Sequence, residues 1–301
     1  MSKTKKKKNI SLIVKLVSIV FSLVTVTFSW FIFSKGGWIN PFDVNITNAI
    51  NVTISKDQQN WTDKLVIADG TNSYGNFTEF SGNGIHFYTP IIQNKEITGY
   101  YLKDFTNQKE KPYVEIQTYI KTDGKIKLFL SPDSSILPSD EENVKDYIAG
   151  ATRVAIIVQN YKPIIWAPNS TYQYNENGTV TNVGQVESNY YYVHENNIND
   201  EFADINDIVT INNSELKDAG YYEDENIYFM WGDLNKIEDY VNVVTPIFTV
   251  SKVADELVVP VMIRVWVEGS DREARASLVG GKVKMNLKFK SVAIEDEGGN
   301  A

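Results

Sequence analysis

The chain has 301 residues, no cysteine and a formal net charge of −9, with 29 basic and 38 acidic side chains. Residues 1–35 hold seven lysines and no acid, so the remainder carries 22 basic and 38 acidic side chains, a net charge of −16. This composition excludes disulfide bonds and thiol catalysis. It also argues against nucleic acid or anionic lipid as a partner, because phosphate binding needs a basic surface.

Residues 1–35 combine a basic start with an apolar segment that directs the chain to a membrane. Five lysines lie between positions 3 and 8, and residues 10–33 are apolar apart from Lys15. Because basic residues stay on the cytoplasmic side, we expect residue 36 onward to lie outside the cell. As one N-terminal hydrophobic helix, this run is long enough to span a hydrocarbon core of about 30 Å.

The same segment also fits a signal peptide, and the sequence leaves cleavage and retention open. Thr27 and Ser29 are small residues at positions −3 and −1 of a candidate cleavage site before Trp30. Retention predicts a cell-membrane protein with an extracellular C-terminal domain. Cleavage predicts a protein that is secreted or held at the cell surface.

Residues 36–290 are predicted to form a mainly β domain, an antiparallel β-sandwich with short helices. Apolar and polar residues alternate in the segments 50–54 and 113–120, as expected of half-buried strands. An Asp-Gly pair in residues 122–124 predicts a hairpin turn to a second strand over 126–130, since Asp-Gly accepts positive φ readily.

Two internal segments have other patterns. Residues 153–158 form a nearly continuous apolar run, which predicts a central strand that is covered on both faces. Residues 140–147 are acidic at their start and predict a short helix, because carboxylates are favourable near a helix N-terminus.

Two amphipathic segments of matched length near the C-terminus are predicted to be neighbouring strands of one sheet. In the first, the inward-facing residues are Val261, Ile263, Val265 and Val267. In the second, Val283, Met285, Leu287 and Phe289 face inward, and Lys282, Lys284, Lys288 and Lys290 face outward.

The connection between these strands and the chain end have their own signals. Ser270 and Glu273 form a capping box and Gly280-Gly281 supplies a C-cap, so a short helix is predicted over residues 271–279. Residues 291–301 are acidic and glycine-rich and are predicted to be a disordered tail.

Residues 172–239 are rich in Asn, Asp, Glu and Tyr, and we interpret them as a loop-rich insertion with short strands at 190–193 and 227–231. Long loops on a β scaffold often carry binding sites. The candidate ligand residues in or near these loops are Trp166, Tyr172, Tyr174 and Trp231; with Trp61, the tryptophans are the kind of side chain that stacks on sugars. The alternative is solvated polar padding between strands.

Residues that carry common catalytic chemistry are scarce. His86 and His194 are the only histidines, and neither a zinc motif nor a serine nucleophile elbow is present. Residues 196–207 have the oxygen-rich composition that calcium favours, but they lack EF-hand spacing, and a solvated acidic loop is the default interpretation. We therefore predict no catalytic, cofactor-binding or metal-binding residue, and leave a calcium loop open.

An apolar segment follows the candidate cleavage site and is a candidate for self-association; it comprises Trp30, Phe31, Phe33, Trp38 and Phe42. If the chain is cut, this tail lies exposed in water and is expected to meet a lipid surface or a partner. An unpaired sheet edge accepts an extended peptide as an additional strand, and head-to-tail addition of this kind builds a fibre. If the chain is not cut, the aromatic residues lie at the membrane interface and need no fibre.

Three segments together resemble exported surface proteins of low-GC Gram-positive bacteria; they are residues 27–31 with 50–61, residues 147–155 with 165–169, and residues 264–271 with Gly280-Gly281. The N-terminus resembles the export signal of the TasA/camelysin group of biofilm-filament proteins, in which an aromatic pair follows the small residues. The resemblance implies a jelly-roll-like sandwich, export through a dedicated signal peptidase, and assembly into fibres or a surface coat. Camelysin's metallopeptidase label is not transferred, because the two histidines here are isolated.

These observations predict an exported, non-enzymatic structural protein of the cell surface or extracellular matrix. The predicted partners are the membrane, through the N-terminal helix, and either further copies of the chain or a cell-envelope polymer. The alternative is a membrane-anchored glycan-binding module that uses the loops of residues 172–239.

Overall fold

A computed structural model describes residues 38–39, 42–47, 52–67, 81–93, 96–102, 111, 113–168, 172–174, 180–183, 190–193, 202–204, 208–211, 219–223, 225, 227–252, 256–269, 274, 278 and 280–294. The strands are β1 (Trp38–Ile39), β2 (Phe42–Thr47), β3 (Val52–Ser55), β4 (Lys64–Ile67), β5 (Ser81–Gly82), β6 (Phe87–Gln93), β7 (Glu96–Leu102), β8 (Tyr113–Thr122), β9 (Ile126–Leu130), β10 (Ser135–Pro138), β11 (Thr152–Ile157), β12 (Ile164–Ala167), β13 (Tyr172–Tyr174), β14 (Val180–Val183), β15 (Tyr190–Val193), β16 (Phe202–Asp204), β17 (Ile208–Ile211), β18 (Ala219–Glu223), β19 (Tyr228–Gly232), β20 (Phe248–Val250), β21 (Leu257–Val267) and β22 (Lys282–Ala293). The helices are the 3-10 helices Val144–Ala151 and Leu234–Lys236 and the α-helix α1 (Tyr240–Val243). The protein is therefore mainly β, as predicted.

Two seven-stranded sheets make up most of the described structure. Sheet I has the order β20-β9-β22-β2-β4, with β1 and β10 also paired to β22. Sheet II has the order β18-β19-β12-β11-β21-β8-β3. Both sheets are mixed, because β1 and β2 run parallel to β22 and β12 runs parallel to β19. A purely antiparallel arrangement was predicted, and these pairs correct it.

One hydrophobic core is shared by the two sheets. Val44 and Leu287 of sheet I and Val154 and Val265 of sheet II are all fully buried and belong to one cluster. The period of two in the sequence correctly predicts which residues of β22 face this core: Val283, Met285, Leu287 and Phe289 are buried, whereas Lys282, Lys284, Lys288 and Lys290 are exposed or half-buried.

β11 is the central strand that its apolar run predicts. It lies fourth in the seven-strand order of sheet II, between β12 and β21. Val154 and Ile156 face the shared core, and Ala155 belongs to a second buried cluster on the opposite face. The prediction that this strand is covered on both faces is confirmed.

The second face of sheet II is covered by the chain around β5 and β6. The Phe87 ring stacks on Tyr113 with centroids 4.4 Å apart and meets Trp266 edge to face at 5.4 Å. Glu268 is fully buried, and its Oε2 accepts hydrogen bonds from the Gly82 N–H at 3.1 Å and the Trp266 Nε1–H at 3.2 Å. This buried carboxylate therefore joins the cover to sheet II.

An ion-pair group lies beside this contact. Glu115 accepts hydrogen bonds from Arg264 Nε at 2.8 Å and from Lys111 Nζ at 3.1 Å, and Arg264 Nη1 donates to the Gly84 carbonyl at 2.8 Å. Partial burial by itself raises the pKa of Glu115, but the hydrogen bonds and charges of Lys111 and Arg264 outweigh it and lower the pKa. The carboxylate thus stays charged and connects β8 with β21.

Residues 122–124 do not close a hairpin, and that prediction is wrong. Thr122 ends β8 in sheet II, whereas Ile126 begins β9 in sheet I. The Gly124 N–H donates to Thr122 Oγ1 at 3.1 Å, and neither Asp123 nor Gly124 adopts the positive φ of a two-residue hairpin turn. The turn carries the chain across the core, because both sides of β8 are already occupied by β21 and β3.

β21 and β22 are not neighbours in one sheet, so that prediction is also wrong. β21 lies between β11 and β8 in sheet II, and β22 lies between β9 and β2 in sheet I. Their patterns match because the two strands face the same core from opposite sides. Of the helix predicted to connect them, only Ala274 and Leu278 lie within the described residues, and both pack against the core.

The helix predicted over residues 140–147 is displaced toward the C-terminus. The 3-10 helix Val144–Ala151 follows Asn143, whose side chain accepts a hydrogen bond from the Lys145 N–H at 3.2 Å. Asparagine is a favoured N-cap because its side-chain oxygen satisfies a backbone donor of the first turn. The acidic residues before it therefore form the approach to the helix rather than its first turn.

A buried aspartate then fixes the start of β22. Asp146 is 1 % exposed and accepts hydrogen bonds from the Asp140 N–H at 3.0 Å, Asn143 Nδ2 at 2.8 Å and the Lys282 N–H at 2.8 Å. Gly281 passes so close to this helix that a Cβ there would lie 1.9 Å from the Lys145 carbonyl oxygen. A glycine is required at that position because any side chain would collide with backbone.

Strands of the two main sheets extend into both the predicted insertion and the predicted tail. Within residues 172–239, the predicted strands at 190–193 and 227–231 occur as β15 and β19. β18 and β19 belong to sheet II, so this part of the segment is integral to the main sheet. β22 continues through Ala293, beyond the predicted start of the tail, and residues 295–301 lie outside the described residues.

Candidate functional site

The strands that follow the apolar N-terminal run lie inside sheet I. β2 is flanked by β22 on one side and by β4 on the other. Val44 is fully buried and Ile46 is 8 % exposed, and both pack in the core shared by the two sheets. The chain therefore becomes part of the core within about ten residues of the predicted membrane segment.

The predicted self-association residues fall in two groups. Trp38 in β1 pairs in register with Lys282, and Phe42 in β2 pairs with Ile67. The others, namely Trp30, Phe31 and Phe33, lie outside the described residues, as do the cleavage candidates Thr27 and Ser29. From Asp43 to Asn45 both sides of β2 are paired within the chain, so of the predicted self-association segment the part before Asp43 remains a candidate for pairing with another copy.

One lateral side of the domain brings together the outer strands of both sheets. β3 is the last strand of sheet II and β4 the last strand of sheet I. The turn between them is short, and it is closed by hydrogen bonds from the Ile54 N–H to the Thr62 carbonyl at 2.7 Å and from the Thr62 N–H to the Ile54 carbonyl at 3.0 Å. We call β3, β4 and this turn the β3–β4 edge. Val66, with 55 % of its surface exposed, lies on it.

The turn of the β3–β4 edge is organised by one aspartate. Asp57 Oδ1 accepts hydrogen bonds from Ser55 Oγ at 2.9 Å, the Gln59 N–H at 2.8 Å and the Asn60 N–H at 2.9 Å. Gln58 between them has φ of 61°. The backbone N–H groups of Asn60 and Gln59, followed by the side chains of Asn60 and Ser55, lower the pKa of Asp57 well below its usual range.

This lowered pKa predicts an acid-sensitive turn. A carboxylate whose pKa is lower in the folded state stabilises the fold above its unfolded pKa of about 3.9, and the contribution is lost as pH falls through the folded pKa. Asp57→Ala is therefore expected to lower the unfolding free energy near neutral pH and to differ less from the wild type at strongly acid pH. Urea titrations of both proteins at several pH values measure the difference.

The matched control is Asp123→Ala, which removes another exposed aspartate whose carboxylate accepts no hydrogen bond from the described residues. It is expected to change the unfolding free energy little at any pH. A difference between wild type and Asp57→Ala that is independent of pH would contradict the role assigned to the charged carboxylate.

Trp61 follows this turn and is half-buried. Lys121 Nζ lies 4.7 Å from the centroid of the Trp61 ring, and the same Nζ pairs with Glu256 Oε2 at 3.1 Å. The lysine thus covers one face of the indole in a cation–π contact. Of the three tryptophans considered for sugar stacking, Trp61 is the one that keeps partial exposure.

The other candidate ligand residues are not on loops. Trp166 in β12 is 2 % exposed and donates from Nε1 to the Gly232 carbonyl at 3.3 Å, and Trp231 in β19 is 8 % exposed. Both rings fill the interior around sheet II, because β12 and β19 are inner strands of that sheet. Tyr172 and Tyr174 lie in β13, which pairs with β14. The glycan-binding interpretation therefore loses its two tryptophan platforms.

The histidines and carboxylates are the side chains of this protein that could bind a metal ion. His86 is half-buried immediately before β6, and His194 lies outside the described residues. Within the described part of the chain, no three His, Cys, Asp or Glu side chains form a group that could hold a metal ion. The residues that the structure describes also include no helix with the length and apolar character needed to cross a membrane.

Comparison with known proteins identifies no relative. No protein-family model, curated protein or solved structure matches the chain.

Proposed function

We propose that this protein is an exported, non-enzymatic structural component of the cell surface or extracellular matrix, built as a jelly-roll-like sandwich. The observation that carries the proposal is the position of β2, the second strand after the apolar N-terminal run. It is paired on both sides in sheet I and buries Val44 completely. Only eight residues, 34–41, separate Phe33 at the end of the apolar run from the start of β2 at Phe42.

This arrangement suits a component that transmits force. β2 runs parallel to β22 over five paired positions, from Asp43 opposite Asn286 to Thr47 opposite Lys290. Tension that acts along β2 would load the hydrogen bonds between β2 and β22 together in shear rather than one at a time. A surface protein that is pulled from its N-terminus benefits from such a connection.

Self-assembly is the second part of the proposal. The β3–β4 edge offers an outer strand with an exposed apolar residue, and residues 30–37 offer an aromatic tail if the chain is cut before Trp30. An extended peptide adds to an unpaired edge through main-chain hydrogen bonds, and a head-to-tail contact repeats without closing. The resemblance to the TasA/camelysin group is consistent with a fibre or surface coat of this kind.

Mass spectrometry of the mature N-terminus, combined with electron microscopy of the purified protein, tests the proposal. A chain that begins at Trp30 and forms fibres supports a matrix subunit. A chain in the membrane fraction that retains residue 1 or 2 rules out the fibre and leaves a membrane-anchored surface protein with an extracellular domain. A cut chain that remains monomeric would overturn the assembly part of the proposal.

Val66→Lys tests whether the β3–β4 edge takes part in assembly. A lysine on an outer strand opposes edge-to-edge pairing, and Val66 is exposed, so its replacement leaves the core unchanged. We expect fewer or shorter fibres at equal protein concentration, measured by sedimentation and electron microscopy. Val243→Lys is the matched control, since Val243 is 38 % exposed and lies on α1; equal loss in both variants would contradict a specific role for this edge.

A further inference from the structure

The outward face of sheet I is basic, although the domain as a whole is acidic. Along β22, every inward-facing residue is apolar up to Phe289, and the outward positions carry Lys282, Lys284, Lys288 and Lys290. We call these four residues the lysine row. Lys282 and Lys284 are exposed, and Lys288 and Lys290 are half-buried. Alternate residues of a strand lie about 6.7 Å apart, so the row extends over roughly 27 Å.

Neighbouring residues that the structure describes do not neutralise the row by ion pairing. Among the described residues, no carboxylate forms an ion pair with any of its four lysines. Asp43, opposite Asn286 on the adjacent strand, is already paired with Lys64 at 2.7 Å. Lys127 of β9, opposite Val292, adds one more exposed cation beyond the end of the row.

A neutral polar rung interrupts the row at its centre. Asn286 lies between Lys284 and Lys288, and its Oδ1 accepts a hydrogen bond from Asn45 Nδ2 at 2.9 Å. Ser135 of β10 lies opposite Asn286 on the other side. Each amide keeps one polar atom that is free of this hydrogen bond, namely Asn286 Nδ2 and Asn45 Oδ1, so this rung suits hydroxyl groups rather than anions.

We propose that the lysine row binds a linear poly(polyol phosphate), a phosphodiester polymer with hydroxyl groups along its backbone. Regularly spaced ammonium groups complement phosphates along a chain, and the amide rung complements the hydroxyls between them. The shape of the site, long and one strand wide, fits a chain. The inference deepens the proposed surface role by naming the class of envelope polymer that the protein holds.

Nucleic acid has the same charged backbone but is a poorer fit. Single-strand binders place aromatic side chains under the bases. The ring that lies opposite Lys290 on β9, Phe129, is only 1 % exposed and packs with Tyr240. The described part of this face therefore presents lysine, amide and hydroxyl groups to a ligand, together with the exposed Leu137 opposite Lys284, and no exposed ring.

A binding assay with labelled poly(glycerol phosphate) and the full-length chain in non-ionic detergent tests the proposal. Wild type is expected to bind with an affinity that falls as salt rises, because each neutralised phosphate releases counterions. Lys284→Glu combined with Lys288→Glu is expected to weaken binding by roughly 10- to 100-fold and to reduce the slope of log K against log salt. Lys284 and Lys288 both face outward, so we expect the variant to keep its β fold, and circular dichroism checks this.

A control variant and a second polymer test whether binding depends on the lysine row and on the class of polymer. Lys56→Glu combined with Lys252→Glu changes the net charge equally at exposed positions outside the row and is expected to retain most of the binding. Equal losses of affinity in the two double variants would show that binding depends only on total charge. That result would contradict a binding site at the lysine row. Single-stranded DNA that binds as tightly as poly(glycerol phosphate) would overturn the polymer class. Because the assay needs no fibres, its outcome is independent of the assembly experiments.

Discussion

Leu287→Ala is expected to lower the free energy of unfolding by about 2–5 kcal/mol, the range for truncating a fully buried leucine. Leu287 has no exposed surface and lies in β22 opposite Val44, at the centre of the shared core. The loss combines the transfer free energy of the removed methyl groups with the cavity left between two sheets that cannot close fully. Denaturant titration followed by circular dichroism measures it.

The control lies three residues away on the same strand. Lys284 is exposed on the opposite face, so Lys284→Ala is expected to change the unfolding free energy by less than about 0.5 kcal/mol. Similar midpoints for the two variants would mean that the faces of β22 are reversed. They would also remove the lysine row from the surface, so this measurement bears on the polymer-binding proposal.

Gly84→Ala is expected to be similarly damaging, for a different reason. Gly84 has φ of +82°, and a Cβ added there would lie 2.3 Å from the Cβ of Ala155 in β11. The left-handed backbone costs a non-glycine residue roughly 1–2 kcal/mol, and overpacking against a strand costs roughly 1–3 kcal/mol. The cover over the second face of sheet II must move outward to relieve the collision.

Two further variants separate the cost of the left-handed backbone from the cost of overpacking. Gly124→Ala introduces the same methyl group where the nearest atoms are 3.9 Å away, and it is expected to be neutral or stabilising by about 0.4–1 kcal/mol. Ala155→Gly in the Gly84→Ala background makes room for the added methyl group and is expected to recover part of the loss, but not the backbone term. Full stability of the Gly84→Ala single variant would contradict the close approach of the cover to β11.

Local sequence patterns predict the strands correctly where each face of a strand meets one environment along its length. The alternation in β8 and β22 predicts the buried faces because side chains on a strand point alternately to opposite sides. The continuous apolar run in β11 correctly predicts cover on both faces, since no position had to face water. The strand at residues 190–193 was likewise found where aromatic and β-branched residues cluster.

The candidate site was less predictable than these elements. The loop-like sequence near Trp166 and Trp231 predicts exposed ligand residues, yet both side chains are buried in strands. The alternation in β22 predicts that its lysines face outward, but a net charge of −16 argues against anionic partners. Net charge is a sum, and only the folded surface shows that the cations of β22 are segregated on one face of sheet I.

The sequence by itself therefore determined the mainly β character, the inward and outward faces of the strands, and the basic and apolar signal at the N-terminus. These properties depend on residues close together along the chain. Only the tertiary structure decided which strands pair: Asp123-Gly124 crosses between sheets instead of closing a hairpin, and β21 and β22 oppose each other across the core. Strand pairing depends on hydrogen bonds between distant segments, and the same alternating pattern satisfies a neighbour in one sheet or a partner across the core equally well.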